Sequence, residues 1–263
     1  MTHDKQTMII FLGGVSIARS FTFHNGFTIS KLHELPNSSV LNELKKIVDN
    51  FDQYILYKSV DENQYNKELF DLGVFTSEVI SLNLNNNRGI HILAASSYGP
   101  YNVPNIRIPY ITKSLEDVDL QNINKNLKDF SKRNIKEQSK IKIALMYLNK
   151  SKICCRNVNG HYEHAIFLRI ALENCFNVPK ERIEATLAKR AKILLNQFNS
   201  DDVNRKIKRF YTQTSGAIHS GVVPSRPKDN SKERKVKIDD YYMSEILAMS
   251  ISNIITHGFP DWE

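Results

Sequence analysis

Residues 161–176 read HYEHAIFLRIALENCF, and apolar side chains fall on nearly every side of this segment when it is wound as a helix. A helix that is apolar all round is a buried one, so the stretch predicts a bundle packed around it. Among its polar exceptions are Arg169 and Glu173, four apart and therefore on one face. On the N-terminal side, residues 140–150 (KIKIALMYLNK) repeat apolar residues at Ile141, Ala144, Leu145 and Leu148. On the C-terminal side, Pro179 stands near the start of a helix with a stripe at Ile183, Leu187, Ala191, Leu194 and Phe198. Another stripe follows at Val203, Ile207, Phe210, Thr214, Ala217 and Ile218, and a last helix is expected over about 241–255.

The first part of the chain has a different pattern. Residues 7–12, 54–58, 79–84 and 90–94 are short and rich in β-branched and aromatic residues, which predicts strands. Turn-prone HNG, NNNRG and YGPYNVPN separate them. One helix interrupts, capped by Ser39 and carrying Leu41, Leu44, Ile47 and Val48 at helical spacing. Pro100, Pro104 and Pro109 cluster near the change of pattern. The fold class expected is therefore α+β. Residues 1–115 form a β-rich or α+β domain, and residues 116–263 an all-α helical bundle.

Composition narrows the function classes. Three cysteines, two of them adjacent, argue against a disulfide framework and fit a reducing cytoplasm. The chain has no CxxC pair, and His161 and His164 have no obvious third ligand, so no metal site or cofactor is expected. No apolar run approaches the roughly 18 residues of a membrane span, and TMIIFLGGV lacks the flanks of a signal peptide. FLGGV matches neither phosphate-binding glycine pattern. Charge is uneven: residues 1–130 hold 12 Lys+Arg against 14 Asp+Glu, and residues 131–263 hold 24 against 14. A basic C-terminal half suggests a polyanionic partner, nucleic acid first, although charge alone fits a lysine-rich solvated surface slightly better.

Within that half, residues 211–221 (YTQTSGAIHSG) place His219 off the apolar stripe of its helix, with Lys208, Thr212 and Ser215 on its side and Gly216 one turn back. This small face suits the close approach of a second helix. Gly221 and Pro224 end the helix, and a histidine in a last turn also suits the helix dipole. Residues 225–237 then carry Arg226, Lys228, Lys232, Arg234, Lys235 and Lys237 against two acids, either a phosphate-gripping loop or a solvated connection.

YTQTSGAIHSG resembles the signature helix of the HEPN superfamily, in particular its Apea-like branch. The run ending in Leu172-Glu173 resembles the second core helix of that branch, and the resemblance covers about residues 120–257. It implies a bundle that forms a homodimer around the signature helix and acts on RNA, as a metal-independent ribonuclease, toxin or antiviral effector. His219 would be the acid or base. Ser215 and Glu173 would stand in the site, and Lys208 and the 225–237 cations on the nucleic acid. The family arginine, which holds phosphate, aligns with Thr214. Arg209 lies ten residues before His219, about 15 Å along a helix, and would substitute only from a broken helix or a partner copy. Arg169 is another donor, or else simply the partner of Glu173 in a buried ion pair. Two readings follow: a ribonuclease, or an inactive nucleic-acid- or nucleotide-binding module acting as regulator or scaffold. A protein-interaction domain without a nucleic-acid role is a third. In each, residues 1–115 would be a sensor or regulator with a protein or ligand trigger.

Overall fold

The computed structural model describes residues 5–36, 41–42, 44, 54–61, 67–84, 91–96, 114–154, 161–178, 183–195, 200–220 and 230–262. At 5–6, 91–96, 161–162, 200–201, 213, 215–220 and 230–241 it describes the backbone only. Ser39, Ile47, Val48, Phe198, Gly221, Pro224, Arg226, Lys228 and the prolines at 100, 104, 109 and 179 lie outside the described residues. The fold is α+β, and the chain divides into two compact units, Met1–Lys128 and Asp129–Glu263.

The first unit is built on β1 (Lys5–Gly13), in which Met8, Ile9, Ile10, Phe11 and Leu12 are all buried. Five consecutive buried residues require cover on both faces of the strand. β1 is accordingly an inner strand. With β3 (Phe21–Thr22), β4 (Thr28–Lys31), β5 (Tyr54–Asp61) and β6 (His91–Ser96) it forms an antiparallel sheet in the order β3-β4-β5-β1-β6. Ile10 stands opposite Leu56 on one side and Ala95 on the other. Ile9 and Phe11 cluster with Leu32, Leu35, Leu44 and Ile55, and Leu41 of the helical segment packs against them. The HNG turn joins β3 to β4: Phe23 N–H donates to Phe27 O at 2.8 Å, and Gly26 takes a positive φ of 82°. A short 3-10 turn, Leu32–Glu34, follows β4. The Glu34 carboxylate accepts from Ser20 Oγ at 2.5 Å and from the Lys31 backbone N–H at 3.3 Å. A second, two-stranded parallel sheet pairs β2 (Ser16–Ile17) with β7 (Ser114–Leu115).

Residues 79–84 are not a strand. They are the end of α1 (Lys67–Ser81) and the turn after it. The β-branched residues there sit at the C-terminal end of a helical repeat, Leu69, Gly73, Thr76 and Ile80, all buried. The repeat prevails because α1 lays that face on the sheet. Contact is close at Gly73, where an added Cβ would meet Ile10 Cδ1 at 2.7 Å and the Phe27 ring at 3.0 Å.

α2 (Asp117–Ser131) follows β7, and its early turns are tied to the first unit. Asn124 Oδ1 accepts from the His24 backbone N–H at 2.6 Å, and Arg19 grips Asp117 through two nitrogens. The second unit contains α3 (Ile135–Cys154), α4 (His161–Cys175), α5 (Ile183–Leu194), α6 (Ser200–Ser220) and α7 (Asn230–His257). α4 touches each of the other four, the central position its all-round apolar sequence predicts. α3 runs antiparallel to it, with Ser151 beside His164 at one end and Lys140 beside Asn177 at the other. α7 begins at Asn230 rather than near 241. Its first turns carry no apolar stripe to betray them, but Lys232, Glu233, Arg234, Lys235 and Lys237 among them are strong helix formers. Lys232, Arg234, Lys235 and Lys237 are therefore on a helix and not in a loop. Among the described residues no helix is long and apolar enough to cross a membrane.

Gly73→Val inserts atoms between α1, Ile10 and Phe27. It is expected to lower stability by roughly 1–3 kcal/mol, the usual range for overpacking, read as a shift of the urea midpoint at constant slope.

Candidate nucleic-acid interface

α6 carries most of the residues at issue. Val203, Ile207, Phe210, Tyr211 and Thr214 form its buried face, while Lys208, Arg209 and Thr212 are exposed. Thr214 is only 5 % exposed, and its hydroxyl donates back to Phe210 O at 2.9 Å and lies 3.3 Å from Tyr211 O. Such a bond to the preceding turn satisfies a buried hydroxyl within its own helix. The position aligned with the family arginine thus faces the core.

Arg169 is engaged on α4. Its Nε donates to Glu173 Oε1 at 2.9 Å, and its guanidinium lies 4.5 Å from the centre of the Tyr211 ring. The Tyr211 hydroxyl donates to the same Glu173 oxygen at 3.2 Å. Burial, then the Glu173 charge, raises the Tyr211 pKa well above its ordinary value, so the phenol is neutral and remains a donor. Arg169 is 6 % exposed and Glu173 about one-third exposed at its side chain. The arrangement is a half-buried ion pair closed by a ring from α6. The sequence marked Arg169 and Glu173 as facing each other. It contained no sign that Tyr211 would complete them.

The structure does not bring the proposed catalytic set together. Glu173 meets α6 at Tyr211, eight residues before His219 and therefore about 12 Å along the axis. α6 is unbroken from Ser200 to Ser220, so Arg209 stays about 15 Å from His219 along the same helix. His219 and Ser215 occupy the last two turns of α6, Lys208 lies on its exposed side, and nine residues separate Ser220 from the start of α7 at Asn230.

Two further titratable side chains of this unit are buried. His164 is buried, with Nδ1 2.7 Å from Ser151 O, and among the described residues no three metal-ligating side chains gather. Lys152, in the last turn of α3, is fully buried, and burial pushes its ammonium from 10.5 down to about 7.

No protein-family model, curated protein or solved structure matches the chain. The chemistry of the interface therefore rests on its geometry.

Two variants test this geometry. Thr214→Arg would drive a guanidinium into the core and is expected to cost more than about 3 kcal/mol, whereas Thr214→Val should cost about 1 kcal/mol or less. A Thr214→Arg protein melting like the wild type would mean that position 214 meets water. For Lys152, the unfolded chain keeps the ordinary pKa and so binds more protons than the folded chain between about pH 7 and pH 10. Stability should rise with pH across that window, and below it both states are protonated and the penalty is constant. Lys152→Met is expected to flatten the slope of urea stability between pH 7 and 9 and to stabilise most at pH 6–7. An unchanged slope would show that the ammonium is not buried in solution.

Proposed function

We propose that the second compact unit is a HEPN-like helical module that binds RNA and holds it without cutting it. The observation that supports non-cleaving binding over cleavage is the burial of Thr214: where the resembled family carries a phosphate-holding arginine, this chain has a core residue bonded to its own helix. Arg169 offers no replacement, since Glu173 and Tyr211 enclose it. Binding is favoured by the excess of 24 Lys+Arg over 14 Asp+Glu in residues 131–263 and by the exposed cations of α6. The basic first turns of α7, soon after His219, add to that excess. In this reading His219 contacts the strand, a second copy pairs along α6, and the first unit acts as sensor or regulator in the cytoplasm.

One observation favours cleavage as the second reading. Arg209 lies on the exposed side of α6, and in a homodimer paired along that helix the Arg209 of one copy would approach the His219 of the other. The ribose 2′-hydroxyl would then be the nucleophile, and no ion would be needed.

Purified protein incubated with total RNA in EDTA separates the two. Binding to about four phosphates of a single strand should weaken roughly 50-fold between 50 and 200 mM salt. The RNA should keep its length with wild type and with His219→Ala alike. Shortening by wild type that His219→Ala abolishes would replace this reading with the ribonuclease. Weak, salt-insensitive binding would remove RNA from the function altogether.

A further inference from the structure

At the end of the bundle where α4 stops, three cations converge on one turn. Asn177 takes a left-handed φ of 48° and breaks the helix, leaving carbonyls at its C-terminus. Arg190 of α5 donates to Phe176 O at 2.8 Å and also to Asn177 O. Lys140 of α3 donates to Asn177 Oδ1 at 2.6 Å, and Lys136 is exposed one turn before it. Two rings lie under these charges. The Arg190 guanidinium is 4.9 Å from the Trp262 ring centre, and the Lys140 ammonium is 5.6 Å from that of Phe259. The Phe176 ring centre lies 6.4 Å from that of Trp262, the two rings tilted by 51°.

The charges at this turn act on one another. Partial burial, and after it the charges of Lys136 and Arg190, hold the Lys140 ammonium below its ordinary value. The acids nearest in the chain are Glu137, Asp261 and Glu263, the last outside the described residues. The Glu137 carboxylate accepts from the Phe259 backbone N–H, from Asn134 Nδ2 and from the Asn134 backbone N–H. Lys136, Lys140 and Arg190 thus stand together, with the partly exposed rings of Phe259 and Trp262 beside them. Cations that follow a backbone beside aromatic platforms are what single-stranded nucleic acid requires.

We propose that Lys136, Lys140 and Arg190, set over Phe259 and Trp262, form a phosphate-and-base contact for single-stranded RNA, separate from the α6–α7 cations. It extends the RNA reading above and rests on it.

Trp262 is the single tryptophan of the chain, so its fluorescence reports on this surface directly. Titration of the full-length protein with a twelve-residue oligouridylate should quench that emission, with a midpoint that weakens as salt rises. Lys136→Glu with Lys140→Gln removes charge without touching the bonds from Arg190 that end α4. The pair should weaken binding about tenfold or more, lower the salt slope by about 1–2, and abolish the quenching. Its circular dichroism and melting curve should match the wild type. Salt-dependent binding that leaves Trp262 unquenched, or that the pair leaves unchanged, overturns the proposal while RNA binding elsewhere stands. Quenching by anionic lipid vesicles but not by the oligonucleotide overturns it in favour of a membrane surface. No binding at all removes both this proposal and the RNA reading.

Discussion

A guanidinium cannot leave water alone, and Arg169 lies on the helix that every other helix of the second unit touches. Glu173 one turn later and Tyr211 across the α4–α6 contact make its burial possible. That arrangement has only one register. Sliding α6 by a residue would turn Tyr211 away by about 100° and leave the pair open on that side. With Tyr211 held inward, Thr214 must also face the core, and Lys208, Arg209 and Thr212 must face water. The exposed charge of α6 is therefore a by-product of how a buried charge was accommodated.

Residue preference and helical period explain what was legible in the sequence. β1 and β5 followed from short runs rich in β-branched and aromatic residues, and the buried central helix and the stripe through Val203 and Phe210 from a period of 3.6, which are local properties. Thr214 already fell on that stripe, so its inward position was legible as well. Residues 79–84 misled because residue preference and helical period disagreed there, and packing against Ile10 and Phe27 decided for the period. The start of α7 escaped notice because a helix without an apolar face has no pattern to read.

The candidate sites were legible only in part, for a related reason. Arg169 and Glu173 sit four apart, and their pairing could be read directly. Tyr211 is 38 residues beyond Glu173, and Trp262 joins Arg190 across 72 residues. Such contacts depend on how whole helices cross, which no local spacing encodes. The aromatic residues of the C-terminal tail therefore looked featureless until the end of α4 was placed beside them.

The Glu34 carboxylate has a bearing on what the first unit avoids. β3 is two residues long and forms one margin of the five-stranded sheet, so it presents few open backbone groups. Just past it on β4, the Lys31 backbone N–H is already held by Glu34, with Ser20 bound to the same oxygen. A foreign strand approaching there would meet a negative charge where it needs a free amide. This margin is thus a poor seed for templated growth, and the short turn after β4 guards it against pairing with another chain.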